Sequence, residues 1–123
     1  MQILVVDDDP FAGEMIKLTL EALDYDVLLV EHALAAIEQL QAEQPIELII
    51  SDMNMPMISG IELFQTLRGQ GIVTPFILLT GDDPEPLQQQ EPALNACMLK
   101  DFSLDETLPE VIEQVMRAHK GRA

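Results

Sequence analysis

ELIISDMNMPMISG, residues 47–60, decides how the rest of the chain is read. Leu48-Ile49-Ile50 is a short apolar run of strand formers, the pattern of a strand buried on both faces. It ends at Ser51-Asp52, which puts a carboxylate at the strand's carboxyl end. Met55-Pro56 delays helix entry, because the residue before a proline avoids the α region. Ser59 and Glu62 have the spacing of a capping box that opens the next helix. Open α/β folds place their chemistry where such strands stop. The question for the rest of the chain is which residues converge on Asp52.

Working outward, each flanking segment repeats the strand-then-helix pattern. Ile3-Leu4-Val5-Val6 is a second buried-strand run and ends on Asp7, Asp8 and Asp9. Asp9 is placed to cap a helix beginning at Pro10. Phe11, Ala12, Met15, Ile16, Leu18, Ala22 and Leu23 are expected to form its inward stripe. Val27 to Val30 reads as a strand, and residues 33 to 43 as a helix with Ala33, Ala36, Ile37 and Leu40 inward. A helix is expected over about 61–68, stopped near Gly69 and Gly71. Phe76 to Leu79 forms the next strand, finishing on Thr80. Pro84 and Pro86 suit a helix's first turn, and Pro92 ends that short helix at about residue 91. Ala96 to Leu99 is the last strand, ending on Lys100. Ser103 and Glu106 predict a second capping box, followed by a helix with Leu104, Leu108, Val111, Ile112 and Val115 on one stripe. His119 to Ala123 reads as a polar tail.

Five β-α units imply an α/β fold: a doubly wound, five-stranded parallel sheet with right-handed crossovers and helices on both faces. All strand ends then share one edge. Asp7, Asp8, Asp52, Thr80 and Lys100 should gather there.

Composition bounds what such a cluster serves. The 123 residues suit one domain, 1–123, and 48% hydrophobic content suits a globular chain. Twenty-two acids against six Lys and Arg give a formal net charge of −16, which disfavours direct binding to nucleic acid or anionic membranes. No apolar run reaches membrane-spanning length and no leader pattern opens the chain, so no membrane association is expected. The single cysteine, Cys97, excludes an intrachain disulfide and suits a reducing cytoplasm. Cys97 is read as a small buried hydrophobe, Met53, Met55 and Met57 as gap-fillers, and His32 and His119 as surface residues off the cluster edge.

Three carboxylates held together raise one another's pKa. A hard dication or a neighbouring cation would relieve them; Lys100 supplies the second, and Mg²⁺, with its preference for a few carboxylates and retained waters, suits the first. A divalent metal beside a carboxylate, a lysine and a hydroxyl is equipped for phosphoryl transfer, with the carboxylate as nucleophile.

At ILVVDDDP, SDMNMPMISG, FILLTG and LK, in that order on five strands, the chain resembles the receiver domain of two-component response regulators over essentially its whole length. The resemblance implies the flavodoxin-like strand order 2-1-3-4-5. It implies Asp52 as phosphate acceptor from a histidine kinase or phosphotransfer protein, with Mg²⁺ as cofactor. Asp8 would be a direct metal ligand, Asp7 a support through water, and Asn54 a ligand through its backbone carbonyl. Thr80 would hydrogen-bond the phosphoryl group and Lys100 pair with it. Such a domain is a signalling switch rather than an enzyme, read by a downstream protein or a covalently linked effector domain. The chain begins at its first strand and stops after its last helix, so no effector segment is expected within it.

Two positions depart from the family pattern. Asp101 replaces the cis proline that usually follows the lysine, and a non-proline cis bond costs about 3–4 kcal/mol, so a trans bond is expected. Cys97 replaces the aromatic of the last strand that usually turns with the switch threonine. These departures keep open a second reading, a rarely phosphorylated receiver that serves as a docking module. A haloacid-dehalogenase-type phosphatase fits less well, because its lysine should precede the metal acids. A flavodoxin-type flavin site would need a Ser/Thr/Gly loop where this chain carries three acids that repel phosphate.

Overall fold

In the computed structural model, which describes residues 1–42 and 45–120, five strands and five helices alternate along the chain. They are β1 (Gln2–Val6), α1 (Pro10–Glu21), β2 (Asp26–Val30), α2 (Ala33–Gln41), β3 (Ile46–Asp52), α3 (Gly60–Gly69), β4 (Phe76–Thr80), α4 (Pro84–Gln90), β5 (Ala96–Leu99) and α5 (Leu104–Lys120). All strand pairs are parallel and the sheet order is β2-β1-β3-β4-β5, as expected. β3 is central and buried on both faces through Leu48, Ile49 and Ile50, each fully excluded from solvent. Burying a side chain of that size contributes about 2 kcal/mol relative to leaving it in water.

Alternate side chains of the strands feed two cores. Ile3, Val5, Leu48, Ile50, Ile77 and Leu79 face α1 and α5. Leu4, Val6, Ile49, Phe76 and Leu78 face the other layer, where Ala33 and Ala36 of α2 and Leu63, Phe64 and Leu67 of α3 cover them. The lower end of this second layer is closed by Arg68. Its half-buried guanidinium lies 4.5 Å from the Phe64 ring centroid and donates to the carbonyl of Ile72. Asn95 accepts from that guanidinium and from the backbone of Phe76, which joins α3 to the start of β4.

Several local expectations hold. Asp9 caps α1, accepting from the backbone of Phe11 and Ala12. Ser59 and Glu62 form both halves of a capping box. Asp83 caps α4, Pro84 and Pro86 stand in its first turn, and Pro92 lies just beyond its end. No peptide bond among the described residues is cis, so the bond before Asp101 is trans.

Others do not. The inward face of α1 is Gly13, Ile16 and Leu20, whereas Phe11, Met15, Leu18 and Leu23 are exposed. Gly13 lets the helix approach the sheet, since a Cβ there would stand 2.8 Å from a Leu29 methyl group. The helix rotates to that close contact, and the larger apolar side chains turn outward. The second capping box does not form: the Glu106 N–H donates to the Ser103 backbone carbonyl at 2.9 Å instead of to its hydroxyl, which is turned away to donate to Asp101 Oδ1 at 2.7 Å. α2 ends at Gln41 rather than reaching 43, and residue 43 lies outside the described residues. His119 and Lys120 belong to α5, not to a tail, and residues 121–123 lie outside the described residues.

Candidate functional site

Parallel pairing brings the carboxyl ends of β1, β3, β4 and β5 to one edge, where the register sets Asp52 beside Leu79 and Thr80 beside Leu99. Asp7 and Asp52 are buried there and Asp8 is exposed. One carboxylate oxygen from each of the three lies within 4.8 Å of the others. Lys100 reaches into this group from the end of β5. Its Nζ donates to Asp7 Oδ2 at 2.7 Å and stands 3.7 Å from Asp52 Oδ2.

The three consecutive acids divide their tasks. Asp7 Oδ1 accepts from the backbone N–H of Asp9 at 2.9 Å while Oδ2 holds Lys100, so both its oxygens are engaged within the protein. Asp8 points to solvent with an oxygen turned to the cluster, and Asp9 caps α1. Asp52 is positioned by its neighbours. The Met53 amide donates to Leu79 O at 2.7 Å, and the buried Ser51 hydroxyl donates to the backbone carbonyl of Asp52. The loop after Asp52 folds back so tightly that Gly60 N–H donates to Met53 O, and a Cβ on Gly60 would meet Asp52 O at 2.5 Å. Only glycine fits there. Ser51 and Gly60 were not singled out as positioning residues from sequence; a glycine on the first turn of a capped helix was the available signal.

Burial is the largest influence on Asp52 and lifts its pKa above the ordinary carboxylate range. Lys100 opposes this, Asp7 and Asp8 reinforce it, and a backbone hydrogen bond from Asn54 opposes it, leaving a net rise. Burial by itself would lower Lys100, but the hydrogen bond and charge of Asp7, with Asp52 and Asp9, outweigh it and hold the ammonium above the usual lysine range. A carboxylate set of this kind is short of positive charge, and its all-oxygen donors with one solvent-facing member suit a hard dication that keeps waters.

Thr80 is buried at the end of β4, and its hydroxyl accepts from the backbone N–H of Asp82 at 3.1 Å. Asn54 is exposed and touches Asp52 through its backbone. Cys97 is half-buried in the layer covered by α2 and α3, and burial raises its thiol pKa. His32 is exposed, as expected, but not off this edge. It lies just past β2 on this same edge, where its Nδ1 accepts from Ala35 N–H and caps α2.

A family model described as response regulator receiver domain matches residues 3–112, nearly the whole chain. The protein is a response regulator receiver domain. It is 34% identical over 121 residues to the chemotaxis protein CheY1 of Helicobacter pylori, covering 94% of this chain and 97% of that one. The receiver also superposes on the response regulator TrrA of Thermotoga maritima, solved in complex with Mg²⁺ and BeF, with a TM-score of 0.82. That match has 30% identity and covers 93% of this chain and 97% of the other. The whole receiver is 29% identical to a segment making up 13% of the sensor histidine kinase RcsC of Salmonella typhi. Receivers of this type thus occur both nearly alone and inside much longer kinases. Among the described residues no helix is long and apolar enough to cross a membrane.

Proposed function

We propose that this receiver, residues 1–123 as one domain, takes a phosphoryl group onto Asp52 from a histidine kinase or phosphotransfer protein in a Mg²⁺-dependent reaction in the cytoplasm. The observation that carries the reading is the convergence of Asp7, Asp8 and Asp52, with Lys100 bridging two of them. An Asp52 oxygen forms the new P–O bond as the P–N bond of the donor phosphohistidine breaks, the electron pair remaining on the imidazole nitrogen. Asp8 and Asp52 would hold Mg²⁺ directly, with the Asn54 carbonyl, and Asp7 would act through water because both its oxygens are already engaged. The bound ion would offset charge on the equatorial phosphoryl oxygens. Lys100 is close enough to Asp52 to follow the phosphoryl group, and Thr80 ends the adjacent strand with a hydroxyl able to donate to it. TrrA bound to Mg²⁺ and BeF supports the same chemistry here by relationship.

The direct test is incubation with Mg²⁺ and acetyl phosphate, followed by intact-mass measurement. One phosphoryl group should be gained by the wild type and none by Asp52→Asn. A phosphorylated mass that persists in Asp52→Asn, or a wild type that never gains one, overturns the assignment. The second outcome would favour a receiver used for docking alone.

A further inference from the structure

The loop that joins β5 to α5 carries Phe102, whose ring is fully exposed although it stands beside an open apolar groove. The groove, about 350 Å³, lies between Ala12, Met15 and Ile16 of α1 and Leu104 and Leu108 of α5. Ile16, Leu104 and Leu108 belong to the core beneath it, so its floor is continuous with the interior. Thr19, Lys100, Asp101, Phe102 and Asp105 complete its lining. An uncovered ring next to an uncovered groove large enough for it leaves two apolar surfaces in water that a short loop movement would join.

The loop is held outward by local bonds. Asp101 Oδ1 accepts from both the amide and the hydroxyl of Ser103, and the Asp101 carbonyl accepts from Leu104 N–H. Its base is fastened to the two residues expected to respond to phosphate. Lys100 N–H donates to Thr80 O at 2.7 Å, and Lys100 Nζ is committed to Asp7. A phosphoryl group on Asp52 adds nearly two negative charges and three acceptor oxygens, which compete with Asp7 for the ammonium and draw the Thr80 hydroxyl from Asp82. Both anchors of the loop then shift together. Cys97 offers no ring to relay the change along β5, whereas Phe102 is an aromatic one residue from the anchored segment.

We propose that Phe102 is a lid on the α1–α5 groove, outward while Asp52 is free and seated against Met15, Ile16 and Leu108 when Asp52 is phosphorylated. This rests on Asp52 being the acceptor. Its consequence is a groove open to a partner only in the unphosphorylated state.

The chain contains no tryptophan, so Phe102→Trp introduces a single reporter at an exposed position. The protein is titrated with beryllofluoride and Mg²⁺, and the fluorine resonance of bound beryllofluoride reports site occupancy independently. With that resonance present, tryptophan emission should shift to the blue and acrylamide quenching should fall several-fold. Adding Met15→Glu, at an already exposed groove position, should abolish the blue shift while the bound resonance remains. Emission that stays unmoved at full occupancy overturns the lid and leaves the groove open in both states. Emission already blue and protected without beryllofluoride overturns it too, because the ring would then be seated at rest. A missing bound resonance refutes the Asp52 assignment itself, and the lid with it.

Discussion

Replacing Lys100 with methionine keeps most of the side chain's length and apolar stem but removes the one cation that, among the described residues, faces Asp7 and Asp52 together. At an effective dielectric of 20, the distances of 2.7 and 3.7 Å correspond to gross attractions of about 6 and about 4.5 kcal/mol. The Lys100 side chain is 22% exposed, and desolvation of its ammonium offsets part of this, so the net loss is smaller. A ceiling comes from proton uptake. Neutralising one carboxylate of ordinary pKa at pH 7 costs about 4 kcal/mol, and a larger penalty is escaped by protonation. The expected destabilisation of Lys100→Met at pH 7 is therefore about 3–4 kcal/mol, read as a lower urea midpoint at unchanged slope. The sign with pH follows from the raised pKa of Lys100. Its contribution is fully present below the ordinary lysine pKa and is lost as pH rises through the higher folded value, so in the wild type it persists through neutral pH. As pH falls, Asp52, whose pKa burial raises, protonates first, and the deficit of the variant should shrink. Millimolar Mg²⁺ should recover part of the loss at pH 7 by supplying positive charge to the same oxygens. A variant as stable as wild type at pH 7, or one whose deficit is unchanged between pH 7 and pH 4, would refute the view that Lys100 compensates buried carboxylates.

Asp8→Ala should weaken Mg²⁺ binding at least tenfold by titration calorimetry while leaving the fold intact, because Asp8 is the exposed member of the cluster. Equal affinity would remove Asp8 from the ligand set. Gly60→Ala should cost about 1–3 kcal/mol and slow phosphorylation by acetyl phosphate, since the new methyl meets Asp52 O and a Leu78 methyl group at 2.5 Å; unchanged kinetics would show that the loop yields without moving Asp52. Met57, unlike Met53 and Met55, fills no gap: it holds φ 71° and is 99% exposed, so Met57→Asn should stabilise by about 0.5–1 kcal/mol in urea melts, and a loss would point to a contact this residue makes.

The alternation of strands and helices was legible because strands buried on both faces show as unbroken runs such as Leu48-Ile49-Ile50, and parallel pairing then forces their ends to one edge. Asp7, Asp8, Asp52 and Lys100 could be brought together on that ground alone. What could not be read were choices made by tertiary contact. α1 carries more apolar residues than one face can bury, and periodicity does not say that Gly13, by allowing close approach, picks the face. The same limit explains Ser103, which matches a capping pattern but whose carbonyl, not its hydroxyl, takes the Glu106 N–H. It also explains Gly60, whose necessity arises from a backbone carbonyl eight residues back that comes near only once the loop has closed.

Arg68 and Lys100 are half-buried, one at each end of the sheet, and this has a consequence for how the molecule meets an electrolyte. Lys100 is engaged with the acid cluster and Arg68 with the Ile72 carbonyl and the Phe64 ring, so neither offsets the acids spread over the surface. The exterior thus keeps most of the chain's net negative charge, and its self-repulsion acts over a screening length of about 10 Å at 0.1 M salt. Added salt should therefore tighten the whole molecule by shielding its exterior, while the short, sheltered contacts of Lys100 are screened far less. The protein behaves as a polyanion with cationic rivets.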